Sequence, residues 1–209
     1  MQRLKKMLFK PPNNQDPFLE VTKKLAQLNA NPNLKFATIA GGCFWCMEGP
    51  FEQLKGVETV ISGFAGGTAQ NPTYEQVIIG VTGHREAVQI FYDPNKTNFK
   101  ELLDIYWFQI DPTDPGGQFA DRGNQYKTAI FYNNDEEKQI AEKSKQEIQN
   151  SGRYNAPIAT QVLPFTTFYP AEDYHQDFYL KSADKYKRYE LLSGRQKYKE
   201  EIKKHAQNT

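Results

Sequence analysis

The chain reads as an α+β fold: a ferredoxin-like two-layer sandwich of a mixed or antiparallel sheet with helices on one face, plus an N-terminal helical arm and a C-terminal helical tail. Two observations predict it. Short apolar runs of strand length alternate with stripes at helical spacing, and the order strand, helix, strand occurs twice, over 36–64 and over 126–165. The 209 residues suit one domain with appendages and can bury a sizeable core. The division read from the pattern is an extension over 1–35 with a short docking helix, a main domain over 36–180 and a basic tail over 181–209.

In order, Pro11 to Asn14 is a loop, and Asp16-Pro17 reads as an N-cap followed by a first-turn proline. Phe18, Val21, Leu25 and Leu28 then follow at helical spacing, which predicts an amphipathic helix docked on the main domain. Strand 36–40, helix 43–54 and strand 57–64 make a βαβ-like opening, with Gly49-Pro50 set to kink or shorten the helix. A loop over 65–72 leads to a short helix at 74–79, then a largely buried strand over 84–92 that turns at Asp93-Pro94-Asn95. Phe99, Leu102, Leu103, Tyr106 and Trp107 form a helical stripe whose natural role is core packing. The segment from Asp111 to Gln125 reads as one long loop with no pattern of its own, a length that in compact domains often serves function. Strand 126–132, a charged amphipathic helix over 133–149 and strand 158–165 follow. Residues 169–178 concentrate titratable and aromatic groups, and the Lys-rich tail over 181–204 reads as a solvated helix face.

Bulk composition narrows function mainly by exclusion. Twenty-six basic against 25 acidic residues leave a net charge of +1, so nothing calls for nucleic acid or an anionic membrane as partner. No stretch is apolar enough to span a bilayer, and Lys10-Pro11-Pro12 interrupts the basic N-terminus before an apolar signal region forms. The cytoplasm is the default setting, although a leader already removed would leave no trace. Aromatics at 13% suit either a core or a ligand pocket.

Two cysteines are too few to staple a secreted scaffold, so their chemistry matters more than bracing. Both lie in Gly41-Gly42-Cys43-Phe44-Trp45-Cys46, where a β-branched run gives way to a helix. Unpartnered amides and the dipole at a helix N-terminus favour a thiolate at Cys43. Cys46, one turn on, is close enough to resolve an oxidised Cys43. The same pair reads alternatively as inert core or as half of a zinc site. No second Cys-x-x-Cys completes such a site, and His84, His175 and His205 are not spaced as ligands, so the expected metal content is none.

Six blocks in register carry a resemblance: Gly41 to Trp45, Gly63 to Gly67, Asn71 to Glu75, Thr82 to Val88, Asp121 to Tyr126 and Ala171 to Gln176. Over about 36–180 the chain resembles the type A peptide methionine sulfoxide reductases. That resemblance implies an α+β core and makes 36–180 the catalytic domain of a peptide-methionine (S)-S-oxide reductase. It implies Cys43 as nucleophile, Glu86 as proton donor, and Tyr74, Tyr126 and Asp121 around the sulfoxide oxygen. It also implies Phe44 and Trp45 as walls for the substrate methyl group, and His175 and Glu172 at the substrate pocket. Reduction of a sulfoxide requires attack at sulfur while the oxygen is protonated, so a thiolate and an acid must share one pocket. Glu86, buried beside aromatic rings, would keep its proton through desolvation.

The implied cycle runs from a Cys43 sulfenic acid to a Cys43–Cys46 disulfide, which an external dithiol such as thioredoxin reduces, with no cofactor. The partners are then methionine sulfoxide, free or in oxidised proteins, and a thioredoxin-like reductant, acting on a monomer. Departures are visible. Many family members carry Gly at the place of Cys46 and resolve from a C-terminal tail, whereas this tail holds no cysteine; Phe64 replaces a usual Tyr and Ile110 a usual His. The competing readings are a thioredoxin-type thiol-disulfide oxidoreductase, which would not need Glu86, Tyr74 and Tyr126, and a zinc- or peptide-binding module.

Overall fold

The computed structural model describes residues 16–207, with side chains described through Ile202. Six strands form one sheet in the order β7-β6-β1-β3-β2-β8. Strands β1 (Lys35–Ala40), β2 (Val57–Ala65) and β3 (Arg85–Tyr92) make its centre, and β3 lies between the other two, antiparallel to both. The opening is therefore a split βαβ: β1 and β2 run parallel but are separated by a strand formed later in the chain. All eight residues of β3 are buried, as an apolar run covered on both faces requires. Strand β6 (Ala129–Tyr132) pairs antiparallel with β1, and β7 (Gln161–Pro164) joins β6 in parallel.

The helices of the main layer pack on the face of β3 that carries Val88, Ile90 and Tyr92. They include α2 (Trp45–Glu52), α4 (Phe99–Trp107) and α5 (Asp135–Asn150). Capping explains where α4 and α5 begin, because Asn98 Oδ1 accepts from the Glu101 amide and Asn134 Oδ1 from the Glu137 amide. Trp107 Nε1–H donates to Ser144 Oγ at 2.8 Å and fixes α4 on α5. Helix α2 stops at Glu52, two residues short of the predicted end, and Pro50 lies within it.

Helix α1 (Leu19–Asn29) sets Val21 against Ile61 and Phe91 on the opposite face of the sheet. It starts later than predicted: Asp16 Oδ1 accepts from the Phe18 amide, and the cap comes from a distant residue. The Asp173 carboxylate accepts from the amides of Glu20 at 3.1 Å and Val21 at 2.7 Å.

Three readings are corrected. The long loop holds a small hairpin, β4 (Gly117–Gln118) with β5 (Asp121–Arg122), then a 3-10 turn at Asn124–Tyr126 that replaces the start of the predicted strand. Gly117 makes the hairpin possible, since it has φ +145° and a Cβ there would lie 2.3 Å from the Asp121 carbonyl. Strand β8 (Phe168–Pro170), unpredicted, adds to the edge of β2. The tail is also more than a solvated face: past α6 (Phe178–Lys181), helices α7 (Ala183–Ser193) and α8 (Arg195–Gln207) bury Tyr189, Ser193, Arg195 and Ile202. Among the described residues no helix is long and apolar enough to cross a membrane.

Candidate active site

The site forms where β1 ends and α2 begins. Gly41 and Gly42 bring the chain out of the sheet, and Gly42 has φ +81°. A Cβ on Gly42 would lie 2.6 Å from Gln118 and 2.9 Å from Arg195, so the close approach of hairpin and tail depends on its absence. Cys43 and Phe44 then form a turn, the Cys46 amide donating to the Cys43 carbonyl and the Met47 amide to the Phe44 carbonyl. Both cysteines are wholly buried and are not joined in a disulfide.

Glu86 reaches this turn from β3, and its Oε2 accepts from the Phe44 amide at 3.1 Å, one residue past Cys43. The carboxyl is itself fully buried and shares the face of β3 that carries Val88. Around the turn the aromatic rings converge. Phe44 stacks with Tyr74 at 6.2 Å and lies 5.2 Å from the His175 ring, while Tyr74 and His175 are 4.2 Å apart, centroid to centroid. Trp45 Nε1–H donates to His175 Nδ1 at 3.1 Å. Because the indole nitrogen can only donate, Nδ1 is the acceptor and the ring proton sits on Nε2, which lies 3.9 Å from Glu172 Oε2.

The remaining supports are backbone contacts. Tyr74 begins the short helix α3 (Tyr74–Ile78), capped by the Thr73 and Gln76 side chains, and its amide donates to Glu172 Oε1 at 3.0 Å. The 173–176 turn is tied to β2 by Gln176, whose Oε1 accepts from the Ser62 amide and whose Nε2 donates to the Ser62 carbonyl, both at 2.9 Å. Burial pushes the Glu172 carboxyl above its ordinary range, against the opposing Tyr74 amide. Gln125 Nε2–H donates to the Ile78 carbonyl at 2.9 Å and holds the turn containing Tyr126 against α3. Tyr126 is buried, and its turn packs on β3. Asp121, on β5, accepts a hydrogen bond from the Tyr189 hydroxyl of the tail.

Glu86, Phe44, Trp45, Tyr74, His175 and Glu172 are thus joined by direct contacts around the turn that carries Cys43 and Cys46. Asp121 and Tyr126 lie on the hairpin and on the turn that follows it, Asp121 against Tyr189 of the tail. Sequence reasoning missed Phe178, stacked on Trp45 at 4.0 Å, and Tyr189, edge-on to Trp45 at 5.8 Å. It also missed Arg195. For Tyr189 the signal was present in the spacing of Tyr186, Tyr189 and Ser193, a one-sided stripe on a charged helix. Hydrogen bonding to Cys43 holds the Cys46 thiol below the ordinary cysteine range despite burial, with the Arg195 charge acting in the same direction.

The model of the family described as peptide methionine sulfoxide reductase matches residues 35–207. A peptide methionine sulfoxide reductase MsrA of Bacillus velezensis is 54% identical over 167 residues, covering 80% of this chain and 94% of that protein. Its counterpart in Halalkalibacterium halodurans is also 54% identical, over 79% of this chain and 94% of that one. Among solved structures, reduced Mxr1 from Saccharomyces cerevisiae superposes with a TM-score of 0.69 at 30% identity, covering 73% of this chain and 88% of that one. Methionine sulfoxide reductase A of Corynebacterium diphtheriae gives 0.66 at 32% identity, over 74% and 77% of the two chains.

Proposed function

Because the chain belongs to the type A peptide methionine sulfoxide reductase family, we propose that Cys43 is its nucleophile, Glu86 its proton donor and Cys46 its resolving thiol. The chain is an enzyme that reduces methionine sulfoxide to methionine. One observation carries the residue assignment: the Glu86 carboxyl is anchored on the amide next to Cys43, inside a wall of Phe44, Trp45, Tyr74 and His175.

In the first step the Cys43 thiolate attacks the sulfoxide sulfur and Glu86 supplies a proton to the oxygen. Methionine leaves and Cys43 becomes a sulfenic acid. Phe44 and Trp45 hold the S-methyl group by dispersion and sulfur–aromatic attraction. Tyr74 and Tyr126 orient the oxygen, Asp121 acts at the same pocket from the hairpin, and His175 with Glu172 fixes the Trp45 and Tyr74 ends of the wall. In the second step the Cys46 thiolate attacks the sulfenic sulfur, a disulfide forms, and the departing hydroxide takes a proton to leave as water. A thioredoxin-like dithiol then reduces the disulfide and is itself oxidised. A reducing compartment, the cytoplasm, fits a cycle that must return to two free thiols. The substrate is the S epimer, free or within oxidised proteins.

Two measurements test this reading. With dithiothreitol as reductant, the S epimer should be consumed and the R epimer left, and Cys43→Ser should abolish turnover. With one equivalent of sulfoxide and no reductant, each methionine formed should remove two free thiols from the wild type. Cys46→Ser should lose one thiol and hold a dimedone-reactive sulfenic acid; a wild type that loses only one thiol per methionine would refute resolution by Cys46.

A further inference from the structure

The tail delivers a buried cation to the thiol pair. Gly194, with φ +84°, ends α7 and turns the chain so that Arg195 is the first residue of α8. A cation at a helix N-terminus opposes the helix dipole, so local helix stability does not explain it. Its side chain is only 1% exposed. The guanidinium donates to the Gly41 carbonyl at 2.9 Å and to the Gln109 carbonyl, reaches Met47 Sδ at 4.0 Å, and lies 4.7 Å from the Phe119 ring centroid. Phe119 is held at φ +54°, an unusual conformation for a bulky residue, where its ring covers the charge.

These partners are all neutral. Among the described residues, no carboxylate lies within ion-pair distance of Arg195. A buried cation without a counter-charge is strongly unfavourable. The groups that face it are few: Cys43 and Cys46 from the α2 turn, Asp121 from the hairpin, and Tyr186, Tyr189 and Glu190 from α7. Asp121 is engaged by the Tyr189 hydroxyl, and Glu190 pairs with Lys199 at 3.2 Å. Asp121 keeps its charge and acts on Arg195 from the hairpin, but the Cys46 sulfur, on the turn flanked by Gly41 and Met47 that the guanidinium touches, acts on it more strongly.

We propose that Arg195 is a positioning residue whose cation is the counter-charge for one thiolate shared by Cys43 and Cys46, supplied to the site by docking of the C-terminal helix pair. The two sulfurs are hydrogen-bonded, so the single proton between them can pass from Cys43 to Cys46 and leave the charge on the nucleophile. After the first step, the same cation keeps Cys46 ionised for its attack. The proposal rests on the reading of Cys43 and Cys46 as a redox pair.

The test uses the full reduced chain. The rise in thiolate absorbance near 240 nm is followed against pH for wild type, Arg195→Met, Arg195→Gln and Arg195→Lys. From each is subtracted the matching protein with both cysteines changed to serine, and cooperative urea unfolding identifies the variants that fold. Wild type should ionise below the ordinary cysteine value of about 8.5, and the neutral variants about one pH unit or more higher, a roughly tenfold loss of thiolate at neutral pH. Lysine should stay within about half a unit of wild type because it keeps the charge. A folded neutral variant that titrates with wild type overturns the proposal, and so does a lysine variant that titrates at the ordinary cysteine value. Mapping disulfides in wild type after one turnover tests the underlying reading separately, since the absence of a Cys43–Cys46 bond would sink that reading and not the titration.

Discussion

Glu48 offers a quantitative test of the core beneath the site. It lies one turn below Trp45 on α2, wholly buried, where Oε1 accepts from the Ser62 hydroxyl at 2.7 Å and from the Asp177 amide at 3.3 Å. Burial pushes its pKa up to about 8 from an ordinary 4.5, with only partial relief from Ser62. At neutral pH the folded chain therefore holds a proton that the unfolded chain has shed. Stability is lost as pH rises from 4.5 toward 8, at about 1.4 kcal/mol per pH unit once well above 4.5. Glu48→Gln can keep an acceptor for Ser62 and Asp177 and cannot ionise. The pH-dependent gain over wild type should be about 1 kcal/mol at pH 5 and about 3 kcal/mol at pH 7, approaching about 5 kcal/mol beyond pH 8. Urea unfolding of both proteins at pH 5, 6, 7 and 8, followed by tryptophan fluorescence, measures it, and titrations common to both cancel in the difference. A difference that stays flat across that range would refute a protonated buried Glu48.

Glu86→Gln keeps the size of the side chain but removes the acid, so sulfoxide reduction should fall roughly 100-fold or more while thiol–disulfide exchange with dithiothreitol stays within about twofold. Equal loss of both activities would instead mark Glu86 as a support for the thiols. Asp173→Ala removes the acceptor for two amides at the start of α1 and should cost about 1–2 kcal/mol in urea unfolding, with faster proteolysis at Lys23 and Lys24. Unchanged stability would mean that the apolar contacts of Val21, Leu25 and Leu28 hold the helix unaided.

The sequence made the central strands legible because β1, β2 and β3 are apolar runs bounded by glycine or proline turns, and it made the chemistry legible because both cysteines lie at one strand-to-helix junction. Which strand would lie between β1 and β2 was not legible. Register across the sheet is decided by partners about 20 to 57 residues apart, such as Phe64 with Glu86 and Thr38 with Gln89. The hairpin was missed because it pairs only two residues per strand and depends on the conformation of Gly117. Strand β8 was missed because three residues ending in Pro170 carry no alternation to read. Arg195 was missed for a different reason: in a lysine-rich helix an arginine looks solvated, and only the tertiary fold reveals it enclosed.

Strand β3 is bonded on both edges and covered on both faces, whereas the sulfur pair occupies a single turn at the end of a short helix. In the proposed cycle, the thiols that are consumed and regenerated occupy the part of the pocket where a small local rearrangement suffices, and Glu86, the proposed acid, is mounted on the part held from four sides. Repeated oxidation would then reshape the turn while the strand that carries Glu86 keeps its place, so each turnover starts from the same mould.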